Sequence, residues 1–190
     1  MMDPRALASE QLRSGEHLLW VGQSDPRKLF TGRDGFLIPF SLFWCGFMAF
    51  WMTEAGTDGA PPFFLVFGSV FVLVGLYMLV GRFLVKRHRK RTEVYAVTDR
   101  RVFITNGRST RETDVRRTDR NVQWTHDRAH CSVQWETGNS GARAFFGGGN
   151  PQAVYANTGL DGVFGPRTTA FWDVPDGDAL VSALDGASVR

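Results

Sequence analysis

Two textures alternate along the chain. No charged residue occurs from residue 35 to 53 or from 59 to 81, runs of 19 and 23 residues. Within them, residues 36–53 (FLIPFSLFWCGFMAFWMT) and 63–80 (FFLVFGSVFVLVGLYMLV) predict two helices that cross a membrane. About 20 helical residues rise about 30 Å, the thickness of a bilayer core. A pair of buried core helices would need far more surrounding apolar surface. Outside residues 35–81 roughly 140 residues remain, room for one domain of about 100–150 but not two. Pro39 falls in the first turn of the first run, where a missing N–H costs little.

Basic residues set the orientation. Arg27, Lys28 and Arg33 precede the first run, and Arg82, Lys86, Arg87, Arg89, Lys90 and Arg91 follow the second. The connecting residues 54–62 (EAGTDGAPP) carry only Glu54 and Asp58. The positive-inside rule then places both termini in the cytoplasm and the loop outside. Residues 1–34 lack the apolar centre of a signal peptide, so the runs read as a retained hairpin in a multi-pass protein. No charge lies inside either run, which argues against an ion path or proton relay built from one copy. Phe36, Phe40, Phe43, Phe47 and Phe50 repeat at steps of four and three, one helical face, and Phe64, Phe67 and Phe71 do the same. These faces meet lipid or form a packed seam, within the hairpin or between copies of a homo-oligomer. Gly68 and Gly75 share a face that allows close helix approach.

The polar remainder reads as β-rich. Residues 93–98 (EVYAVT) and 101–105 (RVFIT) flank a turn at Asp99–Arg100, and residues 121–125 and 131–137 flank a second at 126–130. Residues 142–146, 153–157 and 168–174 are further strands, with a turn at 147–150 and a loop at 159–166. Asp176 is a fitting N-cap for a closing helix with Leu180, Val181 and Leu184 on one face. Together these predict a mainly-β barrel or sandwich of about seven strands capped by a C-terminal amphipathic helix. Residues 17–23 (HLLWVGQ) are strand-like, with Leu18 and Trp20 on one side and Leu19 and Val21 on the other. If this strand pairs with those after residue 92, the helical hairpin is an insertion into one split domain. The expected organisation is an N-terminal tail (1–14), a first-strand segment (15–34), the hairpin (35–81), a basic juxtamembrane segment (82–91) and the rest of the domain (92–190).

A GEHLLWVGQSDP segment (15–26), a two-span hairpin, a basic stretch, YAVTDRRVFIT (95–105) and an FWDVPDGDALVSAL ending (171–184) follow in that order. This arrangement resembles the bacterial pleckstrin-homology-like domain family of membrane proteins. The resemblance implies a seven-stranded bent barrel closed by a C-terminal helix, on the cytoplasmic side of the bacterial inner membrane. It brings no catalytic residues with it.

Candidate chemistry is sparse. Arg82, Lys86, Arg87, Arg89, Lys90 and Arg91 form the densest basic run and are candidates for anionic lipid headgroups, at about 1 kcal/mol per base near the surface. In this chain the hairpin replaces the basic first loop by which eukaryotic relatives of the fold often bind phosphoinositides. A second basic region, Arg108, Arg111, Arg116, Arg117, Arg120 and Arg128, is interleaved with Glu112, Asp114, Asp119 and Asp127. It reads as a salt-bridged surface, and no nucleic acid partner is expected. His126, His130 and Cys131 (HDRAHC) are the only candidates for a metal or thiol site, without a second ligand pair. Gly147–Gly149 lacks the Lys-Ser/Thr of a phosphate loop. Aromatics at 13% exclude a disordered chain, and two distant cysteines, Cys45 and Cys131, exclude a disulfide scaffold. The expectation is a non-enzymatic, cofactor-free, membrane-anchored module that binds or scaffolds another protein beside membrane lipid; the alternatives are an anionic-headgroup sensor through the basic run and a metal- or thiol-dependent enzyme at His126–Cys131.

Overall fold

The computed structural model describes residues 3–117, 119–135, 156–161, 163, 167 and 169–188. Strand β1 (Leu18–Gln23) pairs antiparallel with β2 (Val94–Thr98), although the long apolar helices lie between them in sequence. β3 (Arg101–Thr105) and β4 (Thr110–Asp114) complete a four-stranded sheet in the order β1-β2-β3-β4. β5 (Arg120–Trp124), β6 (Cys131–Trp135) and β7 (Ala170–Val174) form a second antiparallel sheet, followed by the C-terminal helix α5 (Gly177–Ser188). β4 was not foreseen: TRETD has no apolar alternation, because it is an edge strand with alternate residues exposed. The strand and turn expected over 142–150 lie outside the described residues. So do 153–155, whereas Ala156 and Asn157 form a turn rather than a strand end.

The two sheets and α5 share one core. The Phe171 ring stacks on Tyr95 at 4.7 Å, meets Trp135 edge-on at 5.2 Å and lies 6.2 Å from Trp20. α5 begins directly after Asp176 and buries Leu180, Leu184 and Ala187 against this cluster, with Val181 half-buried at its edge. A second, smaller core covers the other face of the first sheet. The described part of the N-terminal segment, residues 3–14, contributes to it. Asp3 caps a short helix α1 (Pro4–Ser9) and accepts from the Arg5 N–H, with Pro4 at the first position. Leu7 and Ala8 pack on Val94, Ala96 and Phe103. β1 serves both cores through a bulge: Leu18 faces Thr98 and Trp20 faces Val97, two steps against one. Leu18 and Trp20 therefore do not share a side, as strict alternation had it. Leu18 and Val21 pack under α1, Trp20 enters the main core and Leu19 stays exposed.

α2 (Asp34–Thr57) and α3 (Pro62–Leu76) are the two long apolar helices, and a π-helical turn, Tyr77–Gly81, carries α3 into α4 (Arg82–Thr92). Gly68 abuts Trp51 and Met52, and Gly75 abuts Trp44 and Cys45. Their partners run backwards along α2, so the helices are antiparallel, joined through the glycine face. The Trp44 indole N–H donates to the Phe71 carbonyl at 3.2 Å. Phe36, Phe40, Phe43, Phe47 and Phe50 point away from this seam and are exposed. α2 and the continuous helix from Pro62 to Thr92 are long and apolar enough to cross a membrane, and only 11% of the most apolar stretch of each is buried inside the protein.

Candidate functional site

The basic run folds as α4, and helical spacing divides it. Arg82, Lys86 and Lys90 recur every four residues, share one face and are only 1%, 3% and 5% exposed. Arg82 is ion-paired to Asp34 at the start of α2, and Asp34 also accepts from the Thr31 N–H and hydroxyl. Lys86 Nζ donates to the Leu29 carbonyl at 2.6 Å. Lys90 Nζ donates to the Lys28 and Asp25 carbonyls at 2.6 and 3.2 Å and to the Asp173 carboxylate at 2.7 Å. Arg89 is half-buried against Asp161 at 3.0 Å. Only Arg87 and Arg91 of the run are exposed. Buried cations survive only with partners, and the three inward ones bond to residues 25–34, to Asp173 and, from Arg82, to the Met78 carbonyl. They clamp the sheets to the base of the helical pair.

Asp173 is the node of that clamp. Cys131 pairs with Val174 and Val133 with Phe171, so β7 carries one extra residue at Trp172–Asp173. The bulge lets Phe171 and Val174, three apart, both reach the core, and re-aims Asp173 toward α4. Asp173 adopts φ +50°, a left-handed conformation that Asp tolerates better than most residues, and its N–H donates to Ser132 Oγ at 3.0 Å. Its carboxylate takes Lys90, Lys28 (2.8 Å) and the Asn157 amide (2.8 Å). Burial opposes its charge, but Lys90, Lys28 and Asn157 outweigh burial and hold the carboxyl at about 2, below its ordinary 3.8. Nearby, Asp25 links the post-β1 segment to His130 at 3.0 Å, and its N–H donates to the Asp173 carbonyl at 3.0 Å.

The turn at residues 156–161 completes the joint. Asn157 and Gly159 have φ of +57° and +84°, and a Cβ at Gly159 would overlap the Arg82 carbonyl. The Gly159 carbonyl accepts from the Tyr77 hydroxyl at 2.7 Å, inside the uncharged run, and the Ala156 carbonyl accepts from Arg33 at 2.6 Å. Two recesses flank the joint. A crevice of about 30 Å³ is lined by Lys86, Arg89, Lys90, Arg111 and Arg167 against only Glu93 and Asp161, with Tyr95 and Trp172 in its wall. A cleft of about 530 Å³ opens between residues 28–33 and the second sheet, lined by Lys28, Phe30, Arg33, Trp124, Trp172 and Asp173.

The metal and thiol candidates are not brought together. His126 is exposed, His130 is bound to Asp25 and Cys131 is fully buried, its thiol pushed up to about 11 by burial. Among the described residues no three His, Cys, Asp or Glu side chains are placed to share a metal. The second basic region is laced with ion pairs: Arg117 with Asp119, Arg120 with Asp185 and Arg111 with Glu93, while Arg128 lies over the Trp124 ring. Sequence reasoning missed a further buried network. Glu16 accepts from Arg101 Nε (2.8 Å), the Thr98 hydroxyl (2.8 Å) and the Arg13 N–H (2.7 Å). Burial opposes the Glu16 charge, yet those bonds lower its carboxyl to about 2. With the Asp99 carboxylate on the His17 N–H at 2.9 Å, this ties residues 15–22 to 95–101, the two most distinctive stretches of the sequence. No protein-family model, curated protein or solved structure matches the chain.

Proposed function

We propose that the chain is a membrane-anchored, non-enzymatic binding module with a split, pleckstrin-homology-like cytoplasmic domain. The observation that carries this reading is the inward face of α4. Arg82, Lys86 and Lys90 bond to residues 25–34 and to Asp173, so the sheets are fixed to the helical pair rather than hung on a flexible linker. Such a joint suits a protein that holds a partner at a set distance from a bilayer. Among the described residues, four strands, then three, then a closing helix agree with the strand count and order that the pleckstrin-homology-like resemblance implies. The low internal burial of α2 and α3 fits lipid as their surroundings. The buried, protonated Cys131 thiol argues against nucleophilic chemistry there.

Topology is checked by cysteine labelling in intact cells and inside-out vesicles. A cysteine at Gly56 is expected to react only from outside and one at Arg100 only from the cytoplasmic side. A Gly56 site that reacts only from the cytoplasm overturns the hairpin. The partner is sought at the wide cleft, whose Trp124 and Trp172 are of the residue type that anchors protein interfaces. A photo-crosslinking residue at Gln123, irradiated in native membranes, is expected to yield a discrete protein adduct that Trp172→Ala weakens. Adducts to lipid alone would favour a second reading. That reading is an anionic headgroup sensor, and its specific support is the excess of five cations over two carboxylates in the small crevice. It predicts that the purified protein retains phosphatidylglycerol over phosphatidylcholine in native mass spectrometry, and that Arg111→Ala with Arg167→Ala abolishes the preference.

A further inference from the structure

The uncharged run ends at Gly81, yet the exposed apolar face of the helix does not. Leu73, Leu76, Val80 and Leu84 recur at steps of three and four, one continuous stripe, and are 64%, 53%, 48% and 64% exposed. Arg82 and Lys86, the charges that interrupt the sequence here, are turned to the other side and buried in the protein. On the exposed side the first basic residues after Leu84 are Arg87 and His88. The boundary between apolar and basic surface therefore lies one turn, about 6 Å, beyond the boundary in the sequence.

The sheet domain meets the helix at this same level. Phe30, in the segment between β1 and α2, is 66% exposed, and its ring packs on Phe83 at 5.3 Å. The exposed Arg33 stands three residues further on, beside the entry to α2. The Gly159 carbonyl already reaches Tyr77, four residues inside the uncharged run. An aromatic ring and a leucine beside exposed arginines, continuous with a helical stripe of lipid-exposed character, form the composition of a bilayer interface.

We propose that the cytoplasmic leaflet extends to Phe30 and Leu84, so that residues 29–33 and the first turn of α4 form a lip of the sheet domain seated in the headgroup layer. The occupant of this surface is the acyl–headgroup boundary, with Arg33 and Arg87 at the phosphates. The clamp makes this seat available. By pairing Arg82 with Asp34 and capping Lys86 with the Leu29 carbonyl, the protein removes from the surface the two charges that would otherwise hold the domain out in water. The proposal rests on the membrane-spanning reading above.

The test is site-directed spin labelling of the full-length protein reconstituted in phosphatidylcholine–phosphatidylglycerol bilayers. Cysteines replace Phe30, Leu84, Leu73 or Arg100 in a Cys45→Ala background, with the buried Cys131 shown not to react. Collisions with oxygen, which partitions into lipid, are compared with those of a water-soluble nickel chelate. Labels at positions 30 and 84 are expected to share one shallow depth. Their collisions with the chelate should fall several-fold below those at position 100, in the exposed β2–β3 turn at the end of the sheet away from α4, while position 73 lies deeper. If positions 30 and 84 meet the chelate as freely as position 100 while position 73 stays shielded, the lip is overturned and the spanning reading stands. If position 73 is also open to the chelate, both fall.

Discussion

Asp173→Ala is expected to destabilise the folded protein by about 3–5 kcal/mol, the cost of removing one partner from a buried pair. The Lys90 side chain is only 4% exposed and the Asp173 side chain 5%, so the stranded ammonium has no route to water without opening the joint. Two backbone carbonyls remain to Lys90, from Asp25 and Lys28, and they limit the loss. Asp173→Asn keeps the volume and some hydrogen bonds and should cost less. Lys90→Met added to Asp173→Asn should recover part of the loss, since replacing both partners leaves no buried charge. Urea unfolding of the detergent-solubilised full chain measures all three. An Asp173→Ala effect within about 1 kcal/mol, as for an exposed pair, would mean that the clamp is not a buried network.

The Asp173 node and the Glu16–Arg101 network give a pH dependence with a defined sign. Asp173 and Glu16 have folded-state values of about 2, below their ordinary values of 3.8 and 4.5. A lowered carboxyl contributes stability above its unfolded value, and that stability is lost as pH falls through the folded one. Stability should therefore fall between about pH 4.5 and 2, and Asp173→Asn should flatten that fall.

Why some of this was legible and some was not has physical reasons. The β2–β3 hairpin was plain, because YAVT and RVFIT are dense in β-branched and aromatic residues around a polar turn. The helical pair was plainer still, since forty-odd residues without charge admit few other structures. Alternation failed at the two bulges. One at Leu19 sends Leu18 and Trp20 to different cores, and one at Trp172–Asp173 converts an expected strand residue into the centre of the joint. No period-two pattern contains an inserted residue. The basic run misled in another way. Its density of charge pointed to a membrane surface, and only the four-residue spacing of Arg82, Lys86 and Lys90 marked a single face that could turn inward. Their partners include the backbone carbonyls of Asp25, Lys28 and Leu29, which no side-chain pattern records. α1 has a local signal, since Asp3 before Pro4 is a helix start.

The first strand decides whether the sheets can exist without the segment that precedes the helices. Trp20→Ala is expected to cost about 3–5 kcal/mol, a large share of the 5–15 kcal/mol typical of a domain. Trp20 is 9% exposed, lies beside Phe171 and belongs to the cluster that includes Tyr95, Val97 and Leu184. Loss of the whole segment is worse than loss of the ring. Without β1, the β2 backbone becomes an open edge along Val94–Thr98. Without α1, Val94, Ala96 and Phe103 lose the cover of Leu7 and Ala8. Without Glu16, Arg101 loses its most buried partner, and without residues 24 and 25 the backbone of Trp172 and Asp173 loses the Ser24 hydroxyl and the Asp25 N–H. Residues 92–190 alone should accordingly give poorly dispersed amide NMR signals and no cooperative melt. Adding a peptide of residues 3–25 should restore dispersion in part, because the missing contacts lie on one contiguous segment of the chain. A chain of residues 92–190 that melts cooperatively, with amide dispersion matching that of the full-length protein, would instead make the β1–β2 pairing dispensable and reduce the helical pair to a simple anchor ahead of an independent domain.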